Sequence, residues 1–396
     1  MSDIRIELRR DPPPDPEAVG EDAELRARIR TEIAERGPMT FARFMELALY
    51  EPGHGYYRRA TVAPGREGDF LTSPEAHPIF GVAIARLAEQ AWTALDRPPT
   101  FLLEEHGAGT GALAVAVLDA LRSDASPLAE RIRYRPIEVE QARLASLTSR
   151  LERAGLADGL VTGGATAPDL ILANEVVDAL PVHRVVMRDR LRERFVTTTD
   201  AGFAEVDGEP STVALEAHLA DDGVRLAPGH VTEIPLAADA WIANVTRPLQ
   251  RGLIVLIDYG ADARDLHGPA RPAGSLRTFA RHTVGDDPFV RIGRQDLTSH
   301  VCLTGLRRAA AVAGLSTVGE TTQAELLAAS GAGDVVARSL DGPDASLERA
   351  LELRSALARL LDPRKLGGYR VLAFGHDLPT GFALPALLRV ARPGDT

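Results

Sequence analysis

Phe101-Leu102-Leu103-Glu104-Glu105-His106-Gly107-Ala108-Gly109-Thr110-Gly111-Ala112 is the stretch on which the fold turns. An apolar run of strand length leads straight into three alternating glycines, and an apolar helical pattern over 111–121 follows. Glycines between a buried strand and a helix N-terminus let a backbone come close to a ligand, where free N–H groups point outward. The loop therefore reads as a nucleoside-cofactor site. With Ala112 it also satisfies the G-x-G-x-x-G/A dinucleotide pattern, so spacing alone leaves the cofactor open and a purely structural tight turn is the bland alternative.

Outward from this loop the chain alternates. A strand at 134–139 precedes a helix carrying Leu144, Leu147 and Leu151, then come Leu160-Val161-Thr162, a strand at 169–175, a helix around 236–249 and the strand 253–258. A helix at 304–314, the short strand Thr317-Val318-Gly319, helices over roughly 323–362 and a last strand at 369–374 complete the count. Strands separated by helices predict an α/β, Rossmann-like parallel sheet covered on both faces, here with seven strands. Two stretches break the alternation. Residues 183–206, around Arg188-Asp189-Arg190, read as a hairpin within an insertion over about 183–232, and 259–303 reads as a second, irregular insertion.

The N-terminal region is helical. Leu25, Ile29 and Ile33 form one stripe that stops before Gly37-Pro38, and Thr40 is placed to cap a second helix with Phe41, Phe44, Ala48 and Leu49. Residues 51–78 are dense in glycine and proline, a long loop of the kind more often functional than idle. The resulting division is a flexible proline-rich tail over 1–20, N-terminal helices with a cofactor-covering loop over 21–77, and the main domain over 78–396 with its two insertions.

Two acids refine the cofactor. Glu138 ends the second strand, where a carboxylate accepts ribose hydroxyls in nicotinamide and adenosylmethionine sites alike. Glu105 discriminates, because a carboxylate two residues before the first glycine repels a pyrophosphate and suits the cationic amino-acid end of S-adenosylmethionine. Either acid is otherwise a solvated strand-end charge. The fourth strand ends in Ala173-Asn174-Glu175-Val176-Val177-Asp178-Ala179-Leu180-Pro181, at the carboxyl edge above the crevice. Should the acceptor be arginine, whose guanidinium is protonated and a poor nucleophile, Glu175 and Asp178 are candidates to hold it by paired hydrogen bonds. The bland alternative has Asp178 capping a short helix and Glu175 ordering the loop. His183, His282 and His300 are available as bases, and none has metal-ligand spacing with another.

Composition narrows the classes further. A formal charge of -11 counts against a phosphate-backbone binder, and Cys302, the only cysteine, excludes an intramolecular disulfide or a thiolate metal cluster. With no apolar run of membrane-span length and an acidic, proline-rich start, the expectation is a cytoplasmic protein with neither nucleic-acid nor membrane partners. No G-x-S-x-G elbow or P-loop is present, which lowers hydrolase and nucleotide-triphosphatase readings.

Several motifs together resemble a family. Gly37-Pro38-Met39-Thr40-Phe41, Leu49-Tyr50-Glu51-Pro52-Gly53-His54-Gly55-Tyr56-Tyr57, Gly68-Asp69-Phe70-Leu71-Thr72-Ser73-Pro74-Glu75, Ala173-Asn174-Glu175 with Asp178-Ala179-Leu180-Pro181, Ile257-Asp258-Tyr259-Gly260, Gln295-Asp296-Leu297-Thr298-Ser299-His300-Val301 and Thr322-Gln323-Ala324 are similar to those of the MidA-type arginine methyltransferases. The resemblance implies a class I, seven-stranded S-adenosylmethionine-dependent fold. It also implies symmetric dimethylation of an arginine in a protein substrate, with eukaryotic members acting in mitochondria on a subunit of respiratory complex I during its assembly. By that likeness Gly68, Asp69, Thr72, Ser73, Glu105, Gly107, Gly109, Gly111, Glu138 and Asn174 belong to the cofactor side. By the same likeness Asn174-Glu175 face the acceptor, and Asp178 and His300, on the reading of the residues alone, join Glu175 as catalytic candidates. The chain departs from the family where Cys302 follows Val301 in place of an acid, and where Arg277-Thr278-Phe279-Ala280-Arg281-His282 is a degraded aromatic, histidine-rich stretch. A small-molecule methyltransferase and a scaffold that keeps the nucleoside pocket stand as alternatives, ahead of a nicotinamide oxidoreductase.

Overall fold

The computed structural model describes residues 19–59, 72–333 and 346–387, with the side chains of 347–350 left aside. The tail expected over 1–20 lies almost wholly outside the described residues, as do Gly68 and Asp69.

The main sheet has six strands: β1 (Phe101–His106), β2 (Ile132–Ile137), β3 (Leu170–Asn174), β4 (Gly252–Asp258), β5 (Ser316–Thr322) and β6 (Arg370–His376). Their spatial order is β5-β6-β4-β3-β1-β2. The pairs β1–β2, β1–β3 and β3–β4 are parallel, and β6 runs antiparallel between β4 and β5. Where a seventh strand was expected, Leu160 makes a single parallel bridge to Tyr134. The strand goes no further because Gly163 and Gly164, at φ 84° and 110°, turn the backbone out of the extended region.

Period-two side-chain alternation explains the near-continuous apolar strands. Leu170, Leu172, Leu253, Val255 and Ile257 face one side, against the helices Ile79–Ala94 and Ala112–Ser123. Ile171, Ala173, Ile254 and Leu256 face the other, against Leu236–Thr246 and Leu303–Val312. Both faces are buried, so polar residues are displaced to the strand ends. That is where the site lies.

A second core was not foreseen. The helices Ala23–Arg36 and Phe41–Tyr50, begun by Asp22 and Thr40 as side-chain caps, bring Leu25, Ile29, Phe44 and Met45 together with Val196 and Phe203 of the first insertion and with Leu276, Ile292 and Leu297 of the second. Met39–Thr40 is itself a short strand paired antiparallel with Leu191–Thr199. The hairpin around Arg188-Asp189-Arg190 forms, pairing Met187 with Leu191, and gains a third strand, Gly202–Gly208. The stretch expected to be irregular over 259–303 contains a three-stranded antiparallel sheet, Thr283–Gly285, Arg277–Ala280 and Asp296–Thr298. Its strands are three or four residues long, too short for an alternation to register in sequence. Among the described residues no helix is long and apolar enough to cross a membrane.

Candidate functional site

Two cavities meet at the carboxyl edge of the main sheet. The first, about 300 Å3, is bounded by the glycine loop, by Glu105, Glu138 and Asn174, and by Thr72 and Glu75 from the segment preceding the main sheet. In the loop, Gly107 and Gly111 take left-handed backbone angles, φ 68° and 77°. A Cβ on Gly107 would meet the Val176 side chain at 2.7 Å, and one on Gly111 would meet Leu147 at 2.8 Å. Gly111 is therefore a packing glycine; it does not line the cavity, whereas Gly107 and Gly109 do.

Glu138 receives the Gly109 N–H at 3.0 Å and the Arg143 guanidinium at 3.1 Å. Arg143 is buried, lies over the Tyr57 ring, and also donates to the Tyr57 carbonyl. Glu105 is 4% exposed and, among the described residues, accepts only the Tyr134 hydroxyl, at 2.8 Å. Burial pushes its carboxyl up to about 8, with the nearby Glu138 charge adding to the rise. A buried acid that faces no cation among the described residues, together with an Asn174 Oδ1 that meets no donor among them, fits a ligand that brings positive donors into this cavity. The solvated strand-end alternative for Glu105 does not hold.

The second cavity, about 260 Å3, is lined by Glu175, Asp178, Asp296 and a set of aromatic rings including Tyr57, Tyr259, Tyr369 and Phe279. No Lys or Arg is among its described lining residues. Glu175 and Tyr57 border both cavities. Glu175 has φ 54°, a strained conformation for a residue with a side chain, which costs roughly 1–3 kcal/mol. Its N–H is spent on the Ile257 carbonyl at 2.8 Å, while its carboxylate takes the Ser73 N–H at 3.1 Å and the Asn174 amide at 3.0 Å. Burial raises its carboxyl to about 7.

Asp178 does not cap the following turn. Asp258 does, accepting the Val177 and Asp178 N–H groups at 3.0 and 3.2 Å, which leaves Asp178 to face the second cavity and accept the Tyr259 hydroxyl at 2.5 Å. Burial raises both aspartates above the ordinary carboxylate range.

The remaining expected residues divide. Thr72 lines the first cavity; Ser73 is fully buried, holding Glu175 through its N–H and bonding Gln323 through its hydroxyl at 2.7 Å. His300 lies against the Tyr259 ring, 5.3 Å between centroids, and lines neither cavity. Burial drives its imidazole down to about 4. His282 lines the second cavity, and His183 is bound to Glu193 at 2.7 Å. Cys302, in place of the family acid, does what an acid does at an N-cap: its sulfur accepts the Gly305 N–H at 3.4 Å. Tyr57, Tyr259 and Asp296 sit within recognised motifs without having been singled out, and both Asp296 oxygens receive the Tyr57 hydroxyl at 2.9 Å. Arg143, Trp241 and Tyr369 had no signal in sequence beyond their places in helices and a strand.

Residues 83–321 match a family model of S-adenosyl-L-methionine-dependent methyltransferases. The mitochondrial protein arginine methyltransferase NDUFAF7 of Mus musculus is 30% identical over 307 residues, spanning 70% of this chain and 67% of that protein. Its Drosophila melanogaster homolog is 27% identical over 304 residues, with 70% and 68% covered. A crystal structure from Burkholderia thailandensis bound to S-adenosyl-homocysteine is 33% identical with a TM-score of 0.81, covering 96% of this chain and 98% of that one. A native structure from the same organism gives 0.82 at the same identity and coverage. The curated relatives are named as mitochondrial proteins, which overturns the expectation of a cytoplasmic location. The glycine loop, the buried Glu105 and these likenesses lead to one conclusion: the chain belongs to the MidA and NDUFAF7 family of S-adenosylmethionine-dependent methyltransferases.

Proposed function

We propose that this methyltransferase acts on an arginine side chain of a protein substrate and, by likeness to its family, produces symmetric dimethylarginine. The relatives named as protein arginine methyltransferases support the reading. The observation that carries it is the position of Glu175, whose side chain borders the cofactor cavity and the acidic, aromatic cavity beside it.

S-Adenosylmethionine, when bound, supplies a methyl group on a sulfonium that a nitrogen lone pair can displace. Everything else falls to the chain. A guanidinium is planar, charged and delocalised, so the acceptor side must neutralise it and localise its charge away from the attacking nitrogen. Glu175 and Asp178 do this by charge-assisted hydrogen bonds, and Glu175, near 7, is poised to take the proton that the alkylated nitrogen sheds. Tyr259 fixes Asp178, and the surrounding rings offer flat faces to a planar cation. In this reading His300 braces Tyr259 from behind and exchanges no proton with the acceptor. Most of the rate comes from holding nitrogen and methyl in line.

The test is a transfer assay on lysate protein, with digestion and detection of symmetric dimethylarginine. Glu175→Gln should abolish the product and leave S-adenosylhomocysteine affinity within a few-fold; equal loss of both would remove Glu175 from the acceptor side. Label that appears only in the low-mass fraction would favour a metabolite as acceptor. Cofactor binding without transfer to any lysate component would favour a scaffold.

A further inference from the structure

Beside Glu105, His106 completes the cofactor cavity in a way the acceptor reading does not use. Its Nε2 bonds Glu104 Oε1 at 2.9 Å, and the other Glu104 oxygen takes the Arg135 Nε at 2.6 Å. Arg135 in turn donates to the Thr166 carbonyl at 3.0 Å, so Glu104 and Arg135, both buried, form a fixed base for the imidazole. The ring stands edge-on to Trp241, 5.6 Å between centroids, and both residues line the cavity. His106 Nδ1 makes no hydrogen bond among the described residues.

The amino-acid end of S-adenosylmethionine is a zwitterion, so the cavity must answer a carboxylate as well as an ammonium. Glycine-loop amides are the usual donors for an anion at such a site. Here most are already committed. Gly107 and Ala108 donate to the Ile137 carbonyl at 2.9 and 3.4 Å, Gly111 to Ala108 at 2.9 Å, and Gly109 to Glu138 at 3.0 Å. Two basic side chains line the cavity, Arg143 and His106. Arg143 is tied to Glu138 and the Tyr57 carbonyl. That leaves His106, next in sequence to the acid expected to hold the ammonium.

We propose that His106 is the carboxylate-binding residue of the cofactor site, with Glu104 and Arg135 as the positioning pair behind it. Glu105 and His106, on opposite faces at the end of β1, thereby read the two charges of the amino-acid end from either side of the strand. Since Glu104 is an acceptor at Nε2, donation from Nδ1 as well requires the imidazolium.

Calorimetric binding of three ligands to the full chain decides this without any acceptor: S-adenosylhomocysteine, its decarboxylated analogue, and 5′-methylthioadenosine, which lacks the amino-acid end. His106→Ala, and His106→Phe, which keeps a ring against Trp241, should each weaken S-adenosylhomocysteine roughly tenfold to a hundredfold, the size of one charge-assisted hydrogen bond. Both variants should bind the decarboxylated analogue and methylthioadenosine as the parent does, which also shows that the cavity is intact. Unchanged S-adenosylhomocysteine affinity would overturn the proposal. So would an equal loss for all three ligands, which would make His106 and Trp241 a platform for the nucleoside.

Discussion

The sheet half and the cap half of this molecule are built on different logic. The sheet half is a continuous alternation of strands and helices from Phe101 to His376, interrupted by the two insertions, and its two buried faces are set by neighbours in sequence. The cap half is assembled from three separate stretches, the N-terminal helices and both insertions, which share one core. The cavity at the glycine loop, proposed as the donor side, belongs chiefly to the first, and the aromatic cavity, proposed as the acceptor side, draws heavily on the second, with Glu175 and Tyr57 at the seam. In the proposed function, cofactor chemistry is thus attached to the edge of the sheet and acceptor chemistry to the surface where the cap core meets that edge.

The sharpest way to break this division is at the seam. Glu175→Gln should lower transfer on the order of 10²–10⁴-fold, as loss of a positioned acid–base group does, while cofactor affinity stays within a few-fold. If kcat and cofactor affinity fall together, the two halves are not separable there. Next in size come the cores themselves. Phe44→Ala should cost about 3–5 kcal/mol by denaturant unfolding and Leu172→Ala about 2–5 kcal/mol, since both side chains are almost fully buried. Phe44→Ala should damage transfer more than cofactor binding, and Leu172→Ala should damage both alike.

A smaller effect is expected at Tyr259→Phe, which leaves the ring and removes the hydroxyl that Asp178 accepts. The loss of a hydrogen bond to a charged group, about 1.5–3 kcal/mol, should raise the apparent acid-limb pKa of the transfer rate and lower the rate by roughly tenfold to a hundredfold. A rate profile that keeps its acid limb would detach Asp178 from the reaction.

The mildest expectation concerns protons. Glu105 and Glu175, at about 8 and about 7 against an ordinary 4.5, hold protons in the free protein that the unfolded chain releases. Their contribution to stability is therefore complete below about 4.5 and is lost as pH rises through about 7 to 8. Cofactor binding should reverse this at Glu105, ionising it against the ammonium, so that Glu105 gives up its proton on binding at pH 7. Calorimetry in buffers of differing ionisation enthalpy measures the net number exchanged, and Glu105→Gln should shift it toward uptake by the proton that Glu105 no longer releases.

Legibility in sequence follows the same division. Strand ends in a parallel sheet are polar for one reason, so Glu105, Glu138, Asn174 and Glu175 stood out against apolar runs, and the glycine loop located them in space. Leu160-Val161-Thr162 misled because its apolar character matched a strand, while Gly163 and Gly164 ended it after one bridge. His300 looked like a base because a histidine in a polar loop carries no mark of which way it points; packing against Tyr259 settled that. The shared cap core was hidden because its apolar residues lie on elements as short as Met39–Thr40 and Asp296–Thr298, whose partners are far away in the chain.

One of those distant pairings has a consequence for how the protein is made. The Asp22 N–H is bonded to the Ile292 carbonyl at 3.0 Å, so the helix Ala23–Arg36 finds this one of its lasting neighbours only after roughly 270 more residues have been added. At about 5–20 residues per second that is a wait of roughly 15 to 55 s before the core that Leu25, Ile29 and Phe44 share with Leu276, Ile292 and Leu297 can close. A nascent chain of this protein should be a client of whatever shields apolar helices during synthesis, and its acceptor side should be the last part to become competent.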